Sequence, residues 1–268
     1  MTQLTLLTKA YGTSQLRQID RLLRANLEGL DAKTELSIVD KWVRVQLSGE
    51  DEAIATSYIR KEIGLCPENL DNVKQFATLK GYIVDAGKSP DTLYVDIGVF
   101  KPETLYATVP LSHLQAALVD GRKLALKKIA ELFGFCDNLP LNVKITMADN
   151  TESRIGAELA TAQLQRFNTW QESLLDRLIV LGAPVQEIGK TLKYNGLDRD
   201  VVDVEPMGLF EHALTCKLGT DAEGLIAQVG RSLRAAKFVV FNPRKIREIL
   251  ALYTTESQLL STLHKSFY

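Results

Sequence analysis

The sequence is short of the residues that most often give chemistry away. Its three cysteines, Cys66, Cys136 and Cys216, are widely scattered with neither CxxC nor CxxxC spacing, which argues against a disulfide framework and a cysteine-rich zinc site and leaves reduced core thiols as the expectation. His113, His212 and His264 stand alone, with no HxxxH or HExxH spacing for a metal. No apolar stretch approaches the roughly 18 residues of a membrane span. The first nine residues lack the basic start, apolar block and small-residue cleavage site of a signal peptide. The expectation is a soluble, cytoplasmic protein. An excess of cations is missing too: Lys and Arg number 32 against 33 Asp and Glu, a net charge of -1. Affinity for phosphates would therefore need a local basic surface.

What is present is ordinary globular material, 268 residues with 46% hydrophobic and 24% charged, enough for two or three compact domains. Residues 1–75 read as a small α+β unit. Leu4, Leu6 and Leu7 mark a strand; Leu16, Ile19, Leu22, Leu23, Leu27 and Leu30 make one helical stripe behind a Ser14 N-cap; Trp42, Val43, Val45 and Leu47 mark another strand. A second helix starts in the acidic run Glu50-Asp51-Glu52. Residues 76–148 change to short strands punctuated by Gly and Pro, with one amphipathic helix around 122–133, which predicts a small barrel. Asp149-Asn150-Thr151-Glu152-Ser153 is the expected linker. Residues 149–268 read as helix 161–175, strand 178–181, helix 184–194, strands 200–205 and 211–218, helix 222–233 and strand 238–241. That βαββαβ order predicts a ferredoxin-like fold, followed by one more helix. The class is α+β, multidomain.

Within the barrel, Lys80-Gly81-Tyr82-Ile83-Val84-Asp85, Leu93-Tyr94-Val95-Asp96-Ile97-Gly98, Ala107-Thr108-Val109-Pro110-Leu111-Ser112-His113-Leu114 and Leu139-Pro140-Leu141-Asn142-Val143-Lys144-Ile145 resemble, in order and spacing, the four strand motifs of an S1 domain. The resemblance implies an OB barrel. Many RNA-binding S1 domains carry an aromatic pair across the second strand and a histidine in the third, whereas here Tyr94 stands alone and Pro110 falls near the histidine position. Some S1-like barrels dock proteins instead. Leu93–Gly98, with Leu118-Val119-Asp120-Gly121-Arg122-Lys123-Leu124, Leu178-Ile179-Val180-Leu181-Gly182-Ala183 and Cys216-Lys217-Leu218-Gly219-Thr220-Asp221, resembles an archaeal family known only as domain of unknown function 2110. That resemblance implies an archaeal cytoplasm and carries no activity.

Strand alternation sets Lys80 and Tyr82 on one face, and Tyr94 outside the core with Asp96. Two tyrosines beside a lysine can stack bases and meet a phosphate; the alternative is that they pack against a neighbouring domain. Helical spacing puts Lys123, Lys127 and Lys128 opposite the apolar face of Leu126, Ile129, Leu132 and Phe133. A lysine face of this kind is also what plain solvation gives. The sharpest feature is segregated charge: residues 149–230 hold seven cations against thirteen acids, whereas 231–247 hold Arg231, Arg234, Lys237, Arg244, Lys245 and Arg247 with no acid. Asn242-Pro243 reads as an N-cap and first helical residue, so Arg244, Lys245 and Arg247 fall in a first turn whose dipole opposes them. Either unpaired N–H groups and cations make a phosphate site, or the cations pair with Asp198, Asp200, Asp203 and Glu205.

Gly189-Lys190-Thr191 is no P-loop, since six residues separate it from Gly182 where four are needed. No GxxG or GxGxxG occurs, and Glu211 beside His212 makes no catalytic set. The expectation is a non-enzymatic protein without cofactor or metal that binds RNA or a ribonucleoprotein assembly of translation or transcription. The alternative is a scaffold whose barrel docks a protein partner.

Overall fold

The computed structural model describes residues 2–252, and the end of the C-terminal segment, residues 253–268, lies outside them. The N-terminal unit comprises β1 (Thr2–Lys9), α1 (Thr13–Asn26), β2 (Lys33–Val39), β3 (Trp42–Ser48) and α2 (Glu52–Glu62). Its antiparallel sheet has the order β1-β3-β2. Val39 faces Trp42 across a two-residue turn, and Asp40 and Lys41 both take positive φ, as the hairpin turns that match strand twist require. Ile19 and Leu23 of α1 and Ala55 and Ile59 of α2 bury against Val43, Val45 and Leu47.

The central unit holds a short β4 (Glu68–Asn69), then β5 (Thr78–Val84), β6 (Thr92–Lys101), β7 (Leu105–Pro110), α3 (Leu111–Leu118), α4 (Leu126–Phe133), β8 (Pro140–Asp149) and β9 (Arg154–Leu159). Five strands close a barrel in the order β5-β6-β7-β9-β8, with β7 and β9 parallel and the other pairs antiparallel. Closure is tight at Gly81, where a Cβ would lie 2.6 Å from Val95 Cγ1 and 2.8 Å from the Asp96 carbonyl.

Two expectations change here. Residues 149–153 are not an interdomain linker but the β8–β9 hairpin turn, where the Asp149 carboxylate accepts from the Thr151 and Glu152 N–H groups at 2.8 and 3.2 Å. The polar run is turn chemistry, and the barrel continues to Leu159. The segment Leu111–Leu118 is helix, not strand. His113 sits on it with Nε2 accepting from the Leu159 N–H at 3.1 Å, which ties the helix to β9.

The last unit follows the expected order: α5 (Thr161–Ser173), β10 (Arg177–Leu181), α6 (Val185–Tyr194), β11 (Val201–Pro206), β12 (Glu211–Cys216), α7 (Ala222–Ser232), β13 (Lys237–Phe241), then α8 from residue 243 to the end of the described chain. The sheet is antiparallel throughout, ordered β11-β12-β10-β13. All five residues of β10 are buried because both faces of this sheet are covered. Leu178 and Val180 pack with Ile188, Leu192, Leu225 and Val229 of α6 and α7. Ile179 and Leu181 join the barrel core. Phe133, Phe167, Trp170 and Phe241 fill that second interface, their rings 5.1–6.2 Å apart. Gly134 ends α4 at φ +70°, where a Cβ would come 2.9 Å from Val239 of β13, so the C-terminal end of α4 abuts that strand. Among the described residues no helix is long and apolar enough to cross a membrane.

Candidate nucleic-acid interface

The barrel face expected to stack bases is occupied by the chain itself. Tyr82 of β5 is fully buried, its ring edge-on to Trp42 at 5.6 Å and its hydroxyl 3.5 Å from the Leu7 carbonyl. Across the ladder it faces Asp96, not Tyr94; Tyr94 pairs with Val84 and is half-buried. The two tyrosines therefore form no open platform, and the neighbouring-domain alternative describes Tyr82. The N-terminal unit holds its place through Lys9, whose Nζ lies 2.7 Å from Asp96 Oδ2 and 4.8 Å from the Trp42 ring centroid. Trp42 Nε1 donates to the same oxygen at 3.0 Å, and the Gly98 N–H donates to Oδ1 at 3.1 Å. Every charge at this contact is matched, as burial demands.

Lys80 is half-buried where the three units meet. Burial lowers its pKa, and Glu211 pulls it back up. Glu211, fully buried on β12, is raised by burial and lowered by Lys80; its Oε1 has no hydrogen-bond partner. Lys80 thus lies within electrostatic reach of a buried carboxylate. Beside this junction a cleft of about 490 Å³ opens between the N-terminal unit and the barrel, walled by Trp42, Phe100 and Tyr106 and rimmed by Asp40, Asp85 and Asp137. The Tyr106 phenol is raised first by burial and then by Asp96, Asp85 and Asp40. Lys9 and Lys41 line the same cleft, and Lys88 pairs with Asp85 at its rim, so the acids there are partly balanced.

The other cations lie on open surface, with Lys128 half-buried, and two of them, Lys128 and Lys245, share one carboxylate. Lys128 Nζ lies 3.0 Å from Glu131 Oε2, and Lys245 Nζ lies 3.1 Å from Glu131 Oε1. One carboxylate on α4 therefore joins the α4 lysines to the start of α8. Lys127 and Lys123 are exposed on or just before α4. Arg244 and Arg247 are exposed on α8, and Arg231, Arg234 and Lys237 are exposed before β13 or at its start. Lys237 lies near Cys136, just past α4, and offsets part of the rise that burial gives its thiol pKa.

Asn242 caps α8 as expected, its Oδ1 accepting from the Lys245 N–H at 2.9 Å. The cap takes one of the first-turn donors, the Ile246 N–H donates to the Asn242 carbonyl at 3.3 Å, and Pro243 brings no N–H, so fewer backbone donors are left for an anion than a bare helix start would offer. The pairing with the acidic strand is overturned. β11 and β13 are opposite edges of the sheet, about 14 Å apart at the usual strand spacing. Glu205 instead holds Arg166 Nε at 2.8 Å and Trp170 Nε1 at 2.9 Å. Sequence reasoning missed the Lys9, Trp42, Asp96 and Glu211 contacts; the one available signal was a carboxylate, Asp96, set between Val95 and Ile97 in a buried strand. Among the described residues no group of three or more His, Cys, Asp or Glu could hold a metal.

Comparison with protein families divides the chain into three parts, close to the structural units except that α5 goes with the barrel. Residues 3–69 match the DUF2110 N-terminal domain, 73–171 the DUF2110 central domain and 175–241 the DUF2110 C-terminal domain. The chain belongs to the DUF2110 family. The DUF2110 central domain takes in β9, in agreement with the barrel running past residue 153, and also α5, whose Phe167 and Trp170 pack in the barrel core cluster. No curated protein matches the chain. The descriptions of the three DUF2110 domains name no activity.

Proposed function

We propose that this DUF2110 protein is a non-enzymatic, RNA-binding component of a cytoplasmic RNA-containing assembly, with phosphates held on the surface made by α4 and the start of α8. The observation that carries this reading is Glu131, which draws Lys128 and Lys245 together and merges two cation groups far apart in the sequence. The chain is nearly neutral overall, so a surface that concentrates Lys127, Lys128, Arg244, Lys245 and Arg247 is where phosphate affinity would arise. The strand order of the barrel supports an S1-like OB assignment, and the β11-β12-β10-β13 order supports a ferredoxin-like one. Neither fold assigns a function by itself.

The test is a gel-shift series with single-stranded RNA across salt. Changing Arg244, Lys245 and Arg247 together to Gln should lower affinity at low salt and reduce the slope of log affinity against log salt by about 0.7 per lost contact. An unchanged slope overturns the reading. A second reading has its own support: the barrel face carrying Tyr82 already receives a protein surface, the N-terminal unit with Trp42 and Lys9. The chain would then act as a scaffold that docks a protein partner, and the triple variant would leave RNA retention unchanged.

A further inference from the structure

The turn leading into β5 carries an aromatic ring where glycine or asparagine is the usual choice. The Ala77 N–H donates to the Lys74 carbonyl at 3.1 Å, closing a four-residue turn whose third residue, Phe76, has φ +65°. Positive φ at that position is what type II turns require, and a Cβ there crowds the backbone. The backbone is pinned: the Phe76 N–H donates to the Ile145 carbonyl at 2.8 Å, the Ile145 N–H donates to Ala77 at 2.9 Å, and Gln75 Nε2 donates to the Thr146 carbonyl at 2.8 Å. Burial does not compensate for the strain, because the Phe76 ring is 66% exposed. Local energetics therefore oppose this residue twice, and strain kept at an exposed position points to a role outside the fold.

The surroundings say what the ring would meet. Lys144 Nζ sits 5.8 Å from the Phe76 centroid and 3.2 Å from Glu158 Oε1. Thr78, opposite Lys144 in the ladder, and Thr146 are both exposed. Thr78 shares the outward face of β5 with Lys80 and Tyr82, at the end where Thr78 and Phe76 stay exposed. The Lys144–Glu158 pair adds no net charge but offers a donor and an acceptor beside an open ring. That combination suits the flat face and polar edge of a base better than a phosphate.

We propose that Phe76 is the stacking platform for one unpaired nucleobase, with Lys144 and Glu158 addressing the base edge. This rests on the RNA reading above. Phe76→Asn and Phe76→Gly place in the turn the residues its geometry favours, so both variants should melt no lower than the wild type. Their affinity for a short labelled oligoadenylate should fall about 5- to 150-fold, the range for one lost stacked base, with the salt slope unchanged. Wild-type affinity in both variants overturns this proposal alone, as does an affinity loss that tracks a lowered Tm. A wild-type protein that binds the oligonucleotide at no salt concentration overturns the RNA reading and this inference with it.

Discussion

Lys9 and Lys245 each approach a carboxylate, at 2.7 and 3.1 Å, yet they live in different surroundings. The side chains of Lys9 and Asp96 are 3% and 8% exposed, whereas those of Lys245 and Glu131 are 51% and 49% exposed. The first pair has given up its water and is held by the Trp42 and Gly98 N–H groups, so its geometry ties the N-terminal unit to the barrel. The second is screened by water and salt and spends little of its charge on the fold. The cations that fix architecture and those free to meet a ligand are thus different residues. Lys80 stands between the two, half-buried and within electrostatic reach of Glu211, although the sequence places it with the second.

Removing one partner of the buried pair should have the largest effect. Asp96→Ala leaves the Lys9 ammonium without its counter-charge and Trp42 Nε1 without its acceptor, for an expected loss of roughly 3–5 kcal/mol by chemical denaturation. A smaller loss in D96A than in Lys9→Met/Asp96→Leu would break the comparison, because it would mean that the stranded charge is readily solvated.

Glu211 gives the next effect, and its sign is opposite. Its carboxyl rises from an ordinary 4.5 to about 7, chiefly by burial, so the folded state holds the proton more tightly than the unfolded state does. That contribution is complete below about pH 4.5 and is lost as pH rises to about 7. Glu211→Gln should flatten the stability profile across that window and raise stability at pH 8, on the order of 1–3 kcal/mol, because the amide is never ionised and the cost of burying the charged carboxylate disappears. A steeper profile, or a loss at pH 8, would show instead that Lys80 depends on the ionised form.

Pattern carried the elements of the C-terminal unit, because α6 and α7 repeat at helical spacing while β10 and β12 are short runs buried on both faces. It failed where local chemistry has two uses. The run 149–153 is polar both as a hairpin turn and as a linker, and only the pairing of β8 with β9 decides. Tyr82 faces outward from the barrel as alternation requires, but alternation cannot say that Trp42, forty residues earlier in the chain, covers it. The cation groups were each visible in the sequence. Their meeting at Glu131 depends on the end of α4 abutting β13, a long-range contact that leaves no local trace. Phe76 gave no periodic signal, since its meaning lies in a φ angle.

The smallest effect on stability should come from Glu131, and it is the most informative about the exposed surface. Hydrogen bonds from Lys128 and Lys245 lower its carboxyl below the usual range, so it stays ionised at neutral pH between two cations. If those cations serve only each other's solvation, Glu131→Gln should leave RNA binding unaltered. If they meet phosphate, the same change removes the one negative charge joining α4 to α8 and leaves both ammonium groups in place. Affinity for single-stranded RNA at low salt should then rise and the salt slope should steepen, while Tm stays within the scatter of the wild-type measurement, as expected for screened surface pairs. Glu131→Gln and the Arg244, Lys245 and Arg247 triple change should therefore move the salt slope in opposite directions. A fall in affinity for E131Q would assign Glu131 to positioning the lysines, and a fall in Tm would return the pair to the architecture, with Lys9 and Asp96.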